Sequence, residues 1–84
     1  MLNENALTAF LALAESGSFQ NAARAMGVSN ASLSRYVGQA EDHTGLVLFH
    51  RSRNSSTLTR AGQEFLPIAQ ALREDLDRYA TRVS

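Results

Sequence analysis

Apolar residues recur at helical spacing through the first third of the chain. The first stripe consists of Leu7, Phe10, Leu11 and Ala14, and the second consists of Phe19, Ala22, Ala23 and Met26. A spacing of i, i+3, i+4 and i+7 predicts two amphipathic helices. Gly17 and Gly27 follow the two stripes, and a glycine in the left-handed conformation commonly ends a helix. Ser18 is the predicted N-cap of the second helix.

A third stripe predicts a helix over about residues 30–44. Ser29 is its predicted N-cap, and Gly45 follows its last residue. The buried side of this helix is predicted to consist of Leu33, Tyr36, Val37 and Ala40. Two helices joined by a short turn at Gly27 are typical of a helix-turn-helix motif.

The hydrophobic period changes after Gly45. Residues 46–50 form an apolar run of strand length, residues 51–56 are polar and turn-like, and residues 57–59 form a second short strand candidate. This pattern predicts a two-stranded β hairpin, or wing. The fold class is therefore mainly α, a winged helix-turn-helix with a three-helix core and a two-stranded β wing in residues 1–59.

One long helix is predicted over residues 60–84, with Thr59 as its cap. Its apolar residues recur in steps of four and three: Phe65, Ala69, Leu72, Leu76, Tyr79 and Val83. Such a heptad spacing is typical of a seam between two helices. We therefore predict a linker and dimerisation helix. A chain that serves chiefly as a dimerisation module is a compatible alternative.

The charge distribution is uneven although the formal net charge of the 84 residues is zero. Residues 20–62 carry five arginines against two acidic residues, a net charge of +3, and both flanking segments are acidic. Arginine supplies every cation, and guanidinium groups suit phosphates and guanine edges. A GC-rich coding sequence is the favoured reason for the lack of lysine. The basic middle keeps nucleic acid open as a partner.

Composition argues against several other classes of protein. There is no cysteine, and His43 and His50 lack partners at a metal-ligand spacing. No catalytic Ser/His/Asp order or glycine-rich phosphate loop occurs, so we expect no enzyme activity, metal or cofactor. The longest apolar stretch, residues 9–14, is too short to span a membrane, and no basic segment precedes it. We therefore expect a cytoplasmic protein without membrane contact.

Small residues surround one arginine on the polar side of the predicted third helix. These residues are Ala31, Ser34, Arg35 and Gly38, with Asn30 at the N-terminal end. A helix face without bulk can enter the major groove, where arginine pairs with guanine and asparagine pairs with adenine. Asn30 could instead contact a phosphate. A solvated helix face accounts for the same residues equally well.

The wing carries two arginines in its polar turn, Arg51 and Arg53. Their side chains could reach a flanking minor groove or phosphates. Either arginine could instead be structural, for example by pairing with Glu41. We expect Arg53, at the hairpin tip, to contact DNA and Arg51 to be mainly structural.

Several short motifs occur in a characteristic order along residues 5–80. They are Gly17-Ser18-Phe19, Ala22-Ala23, Val28-Ser29, Leu33-Ser34-Arg35, Glu41, Gly45, Leu48-Phe49, Arg51 and Leu58-Thr59-Arg60-Ala61-Gly62. Each motif alone is weak, but the ordered set with its spacing resembles the N-terminal DNA-binding domain and linker helix of LysR-type transcriptional regulators.

This resemblance implies a homodimer, joined through its linker helix, that binds an interrupted palindrome in a double-stranded DNA operator to control transcription. Higher oligomers of the full-length protein stay open. By position, the resemblance places DNA contacts at Gln20, Ser29, Asn30, Ala31, Ser34, Arg35, Gly38 and Arg53. A small-molecule effector would act only through the family's effector-binding domain, which this chain does not resemble.

The chain departs from the family pattern within the predicted recognition helix. Asn30 replaces the usual glutamine, Ala31 replaces a common proline, and Gly38 replaces a residue that is often polar or basic. These departures leave the base preference open. The main rival is a winged helix whose third helix binds protein instead of DNA. Neutrality and Gly38 favour that rival, whereas the wing arginines and Ser34-Arg35 disfavour it.

Overall fold

The computed structural model describes residues 2–83 and the side chains of residues 2–80. Three helices come first, α1 (Glu4–Ser16), α2 (Phe19–Met26) and α3 (Asn30–Thr44). Two short strands, β1 (Phe49–Arg51) and β2 (Ser56–Leu58), and the long helix α4 (Arg60–Val83) follow them. This order confirms the predicted fold class, a winged helix-turn-helix followed by a long helix.

Side-chain caps determine where the helices begin. Ser18 and Ser29 accept hydrogen bonds from backbone N–H groups in the first turns of α2 and α3, as predicted, and Asn3 caps α1 in the same way. The turn between α2 and α3 needs a left-handed residue, and Gly27 supplies it with a φ of 69°. These caps define the angle between the two helices of the helix-turn-helix.

The core is built around α1. Five of its residues are buried: Ala6, Leu7, Ala9, Phe10 and Leu13. They pack against Ala22 and Ala23 of α2, Leu33, Val37 and Ala40 of α3, and Leu48, Phe49 and Ala69. The Phe10 ring contacts Phe49 of β1 and Phe65 of α4, with centroid distances of 5.4 and 5.0 Å. One aromatic cluster therefore joins α1, the wing and α4.

The wing is shorter than predicted, because β1 begins at Phe49 rather than Leu46. Its strands pair antiparallel, with Phe49 opposite Leu58. The backbone before β1 is held mostly by side chains, and its one cross-wing backbone bond among the described residues runs from Thr59 N–H to the Leu48 carbonyl at 3.0 Å. Leu48 N–H donates to Glu41 Oε2 at 2.8 Å, and the Thr59 hydroxyl donates to the Val47 carbonyl at 2.6 Å.

The first turn of α4 lies directly against the segment before β1. Thr59 caps the helix, since its Oγ1 accepts a hydrogen bond from Gly62 N–H at 3.0 Å. A Cβ at Gly62 would lie 2.2 Å from the Leu48 carbonyl oxygen and 2.8 Å from Leu58 Cδ2. The helix can approach the strand backbone this closely only because residue 62 has no side chain.

The structure divides the predicted heptad seam into two parts. Ala69 is fully buried and Phe65 packs on Phe10, so these two predicted seam residues contribute to the core of their own chain. Both residues face the core of their own chain because α1 covers the first half of α4. The exposed apolar stripe farther along consists of Ile68, Leu72, Leu76 and Tyr79, between 41% and 67% exposed. Ile68 was not predicted, and the side chain of Val83 lies outside the described residues.

Two glycine-to-alanine substitutions test the close approach at Gly62. We expect Gly62→Ala to lower the free energy of unfolding by about 1–3 kcal/mol, because the added methyl group overpacks the contact with Leu48. Gly38→Ala is the matched control, since nothing lies within 4 Å of the Cβ that it adds. It should raise the free energy of unfolding by about 0.5–1 kcal/mol through helix propensity. Denaturant unfolding followed by circular dichroism measures both, and equal stabilities would contradict the steric argument.

Candidate nucleic-acid interface

The residues predicted on the polar side of α3 lie together on one face of the helix. Ala31 and Arg35 are exposed, and Ser34 and Gly38 are half-buried. Leu33, Val37 and Ala40 on the opposite face are fully buried. Helix α3 therefore presents a surface of small residues around a single guanidinium. That guanidinium lies over the ring of the adjacent Tyr36, with 5.4 Å between the Arg35 Cζ and the ring centroid.

The N-terminal end of α3 combines a structural serine with an exposed amide. The Ser29 hydroxyl accepts a hydrogen bond from Ser32 N–H and donates one to Ser32 Oγ, both at 3.1 Å. Ser29 is exposed, but its hydroxyl is already used to cap the helix. Asn30 is the first exposed side chain of α3 and lies beside the N-terminal end of the helix, where partial positive charge accumulates.

A polar concavity joins the helix-turn-helix to the wing. It has a volume of about 240 Å³ and is lined by Gln20 of α2, Asn30 of α3 and Arg53 of the wing. The rest of its lining is mostly small and polar: Ser18, Phe19, Ser52, Asn54, Ser55 and Ser56. Three residues that were predicted separately therefore lie around one concave surface.

A backbone hydrogen bond to the turn between α1 and α2 holds the wing in place. Ser56 N–H donates to the Gly17 carbonyl at 2.8 Å, which ties β2 to the turn between α1 and α2. Within the tip, Ser52 N–H donates to the Ser55 carbonyl at 2.9 Å. The position of Arg53 relative to α2 and α3 is thus set by one backbone bond that anchors β2 and by one that closes the tip.

Arg51 contacts Glu41 and Phe19 within its own chain. Its Nη2 lies 3.5 Å from Glu41 Oε1, and its Cζ lies 4.9 Å from the centroid of the Phe19 ring. Glu41 accepts the Leu48 N–H with its other oxygen. One carboxylate therefore holds the wing arginine and the backbone before β1 together.

The described arginines fall into two groups. Arg51, Arg60, Arg73 and Arg78 form ion pairs. Among arginines whose side chains the structure describes, the others, Arg24, Arg35 and Arg53, form none. All three are exposed, and all three belong to the helix-turn-helix or the wing.

Arg24 is a candidate that sequence reasoning missed. It lies in the last turn of α2, four residues after Gln20, so the two side chains share a face of that helix. The i, i+4 spacing from Gln20 was visible in the sequence. The sequence could not show that Arg24 forms no ion pair with a described carboxylate, because this depends on which acidic residues the fold brings close.

Neither histidine belongs to a metal site among the described residues. No group of three or more His, Cys, Asp or Glu side chains there could hold a metal ion. His43 lies in the last turn of α3, where a cation is favoured, and His50 is exposed on β1. No helix within residues 2–83 is long and apolar enough to cross a membrane.

Comparison with known proteins assigns the family. Residues 5–63 match the model of the bacterial regulatory helix-turn-helix proteins of the lysR family. The chain is 41% identical over 85 residues to the transcriptional activator IlvY of Salmonella typhimurium, covering 93% of this chain and 29% of IlvY. It is 38% identical over 80 residues to the putative regulator PtxE of Stutzerimonas stutzeri, covering 95% of this chain and 39% of PtxE.

A solved structure extends this similarity to the fold. The crystal structure of the CbnR DBD–DNA complex matches 93% of this chain and 90% of its own, with a TM-score of 0.86 and 35% identity. The chain itself spans only 29% and 39% of the lengths of IlvY and PtxE. The chain belongs to the lysR family of bacterial regulatory helix-turn-helix proteins.

Proposed function

We propose that this chain binds a double-stranded DNA operator in the bacterial cytoplasm, on the nucleoid, and thereby regulates transcription. The observation that carries the proposal is the division of the arginines. Ion pairs occupy the four described arginines at the base of the wing and along α4, whereas Arg24, Arg35 and Arg53 keep their donors available to phosphates and base edges. The similarity to CbnR, whose DBD was crystallised with DNA, supports the same function.

Helix α3 is the proposed recognition helix in the major groove. Ala31, Ser34 and Gly38 let the helix approach the bases, and Arg35 reaches guanine O6 and N7 from the centre of this face. Asn30 contacts either an adenine or a phosphate at the N-terminal end of the helix. Because the Ser29 hydroxyl is already engaged in the helix cap, we expect Ser29 to contact the phosphate backbone rather than to read a base.

The wing and α2 are proposed to hold the DNA backbone on either side of α3. Arg53 reaches the flanking minor groove or its phosphates from the wing tip. Gln20 and Arg24 lie one turn apart on α2 and contact phosphates along one strand. Such contacts fix the register of the protein on the duplex but carry no sequence information themselves.

A second copy of the chain is the proposed partner of α4. The exposed stripe of Ile68, Leu72, Leu76 and Tyr79 suits a two-fold helix pair, and each protomer then places one α3 on one half of an interrupted palindrome. A small-molecule effector, and any higher oligomer, would depend on parts of the relatives that this chain does not match.

Selection of binding sites from random duplex DNA tests the proposal directly. We expect the wild-type chain to enrich an interrupted palindrome with one guanine-containing position that depends on Arg35. Arg35→Ala should weaken binding by about 1–3 kcal/mol and relax the preference at that position. Arg78→Ala removes the same charge from α4 and should leave the selected sequence unchanged. Failure to enrich any sequence would overturn the proposal and favour a winged helix that binds protein.

Salt dependence separates phosphate contacts from base contacts. The logarithm of the affinity should fall with the logarithm of salt concentration, with a slope of about −0.9 per neutralised phosphate. We expect Arg24→Ala to weaken binding to all sequences alike and to reduce the slope by about one. Titrations by fluorescence anisotropy at several salt concentrations provide the measurement. A slope identical to that of the wild type would show that Arg24 contacts no phosphate.

Charged residues on the exposed stripe of α4 test the dimer. The double substitution Leu72→Glu/Leu76→Glu should convert the chain to a folded monomer, because both side chains lie outside the core. Gln70→Glu adds a charge on the other side of the same helix and serves as the control. Sedimentation velocity gives the oligomeric state, and circular dichroism reports folding. A persistent dimer of the double variant would place the interface elsewhere.

A further inference from the structure

Arg73 links α4 to α1 at the point where burial along α4 ends. Its Nη1 donates to Thr8 Oγ1 at 3.1 Å, and its Nη2 donates to Glu4 Oε1 at 3.2 Å. Within α4, its Nε and Nη2 also donate to Asp77 Oδ1, at 3.2 and 2.9 Å. One guanidinium therefore connects the first two turns of α1 to consecutive turns of α4.

Apolar packing does little to hold this part of α4. Ala69 is its last buried residue among those described, and Arg73 is the only one from 70 to 80 that is not exposed. On one side a groove of about 660 Å³, with Leu11, Ala14 and Leu66 in its lining, separates the two helices. Beyond Ala69, the contacts that tie α4 to α1 are therefore mainly the polar ones that Arg73 makes.

A second arginine on α4, Arg78, has no contact with α1 among the described residues and serves as a comparison for the burial and pairing of Arg73. Among the side chains that the structure describes, Arg78 pairs only with Asp75 of its own helix, and its side chain is 69% exposed, against 27% for Arg73. Partial burial acts to lower the pKa of Arg73, but hydrogen bonds and charge attraction from Glu4 and Asp77 raise it above the ordinary arginine value. The guanidinium thus stays charged throughout the physiological range.

We propose that Arg73 is a positioning residue that fixes the angle between α4 and the winged helix-turn-helix and thereby sets the half-site spacing that a dimer accepts. This inference rests on the proposed binding of an operator by a dimer. Each α3 is attached rigidly to α1 through the core, and α4 joins the two protomers. A change in the angle between α1 and α4 in both protomers therefore moves the two recognition helices relative to each other.

The test varies the separation between two selected half-sites one base pair at a time. We expect the wild type and Arg78→Ala to prefer one separation strongly. Arg73→Ala should reduce the affinity ratio between that separation and one five base pairs longer, about half a helical turn, by about tenfold. Its affinity for a single half-site should stay within about twofold of wild type, because Arg73 lies outside the proposed DNA surface.

A second variant breaks the link from the other helix. Thr8→Val removes only the hydroxyl that accepts from Arg73 Nη1 and nearly preserves the side-chain shape. Thr8→Val should also reduce the affinity ratio between the two separations, but by less than Arg73→Ala does. It tests the link even if Arg73→Ala unfolds.

Each remaining outcome decides between the two proposals. An unchanged spacing profile for Arg73→Ala or Thr8→Val, when folded, overturns the inference, and so does a flat profile for the wild type. Equal losses on half-sites and palindromes would also overturn it, because they indicate general destabilisation. Failure of the wild type to bind any duplex overturns the proposed function itself.

Discussion

The structure depends on the packing of one helix, α1, against all the others. A chain of 84 residues buries a limited share of its surface, so it has room for a single small core. Phe10 occupies the centre of that core and contacts aromatic rings from the wing and from α4. Because α2 and α3 pack against α1 through one face each, their opposite faces stay exposed. The candidate DNA surface is formed by those faces and by the wing.

The same fold explains how a neutral protein can present a basic surface. Four described arginines are paired with carboxylates, whose negative charge offsets that of the arginines locally. Arg51 illustrates this, since Glu41 and the Phe19 ring hold it at the base of the wing. Exposed ion pairs of this kind contribute little to stability. Their consequence here is spatial, because the arginines that form no ion pair among the described side chains all belong to the helix-turn-helix and the wing.

Local patterns in the sequence were sufficient for the helices. Capping serines and the glycines that follow each helix act within a few residues, so the bounds of α2 and α3 could be predicted closely. The start of the wing could not be predicted, because Val47 and Leu48 bond to Glu41 and Thr59, which lie elsewhere in the chain. The heptad spacing of α4 was read as one seam, yet Phe65 and Ala69 pack within the protomer. Spacing is the same for a helix that meets its own chain and for one that meets a partner.

We infer that the boundary between the DNA-binding part and the dimerisation part of the chain lies inside α4. The predicted boundary at residue 60 precedes residues that belong to the core region, because Gly62 lies against the Leu48 backbone and Ala69 is fully buried. Three residues of the exposed stripe, Leu72, Leu76 and Tyr79, belong to the second half of the same continuous helix. A helix transmits rotation without a joint, so the contacts that orient its first half also orient the proposed dimer surface. Since the apolar contacts end at Ala69, the bonds of Arg73 to Thr8 and Glu4 are the last point at which α1 can control that orientation.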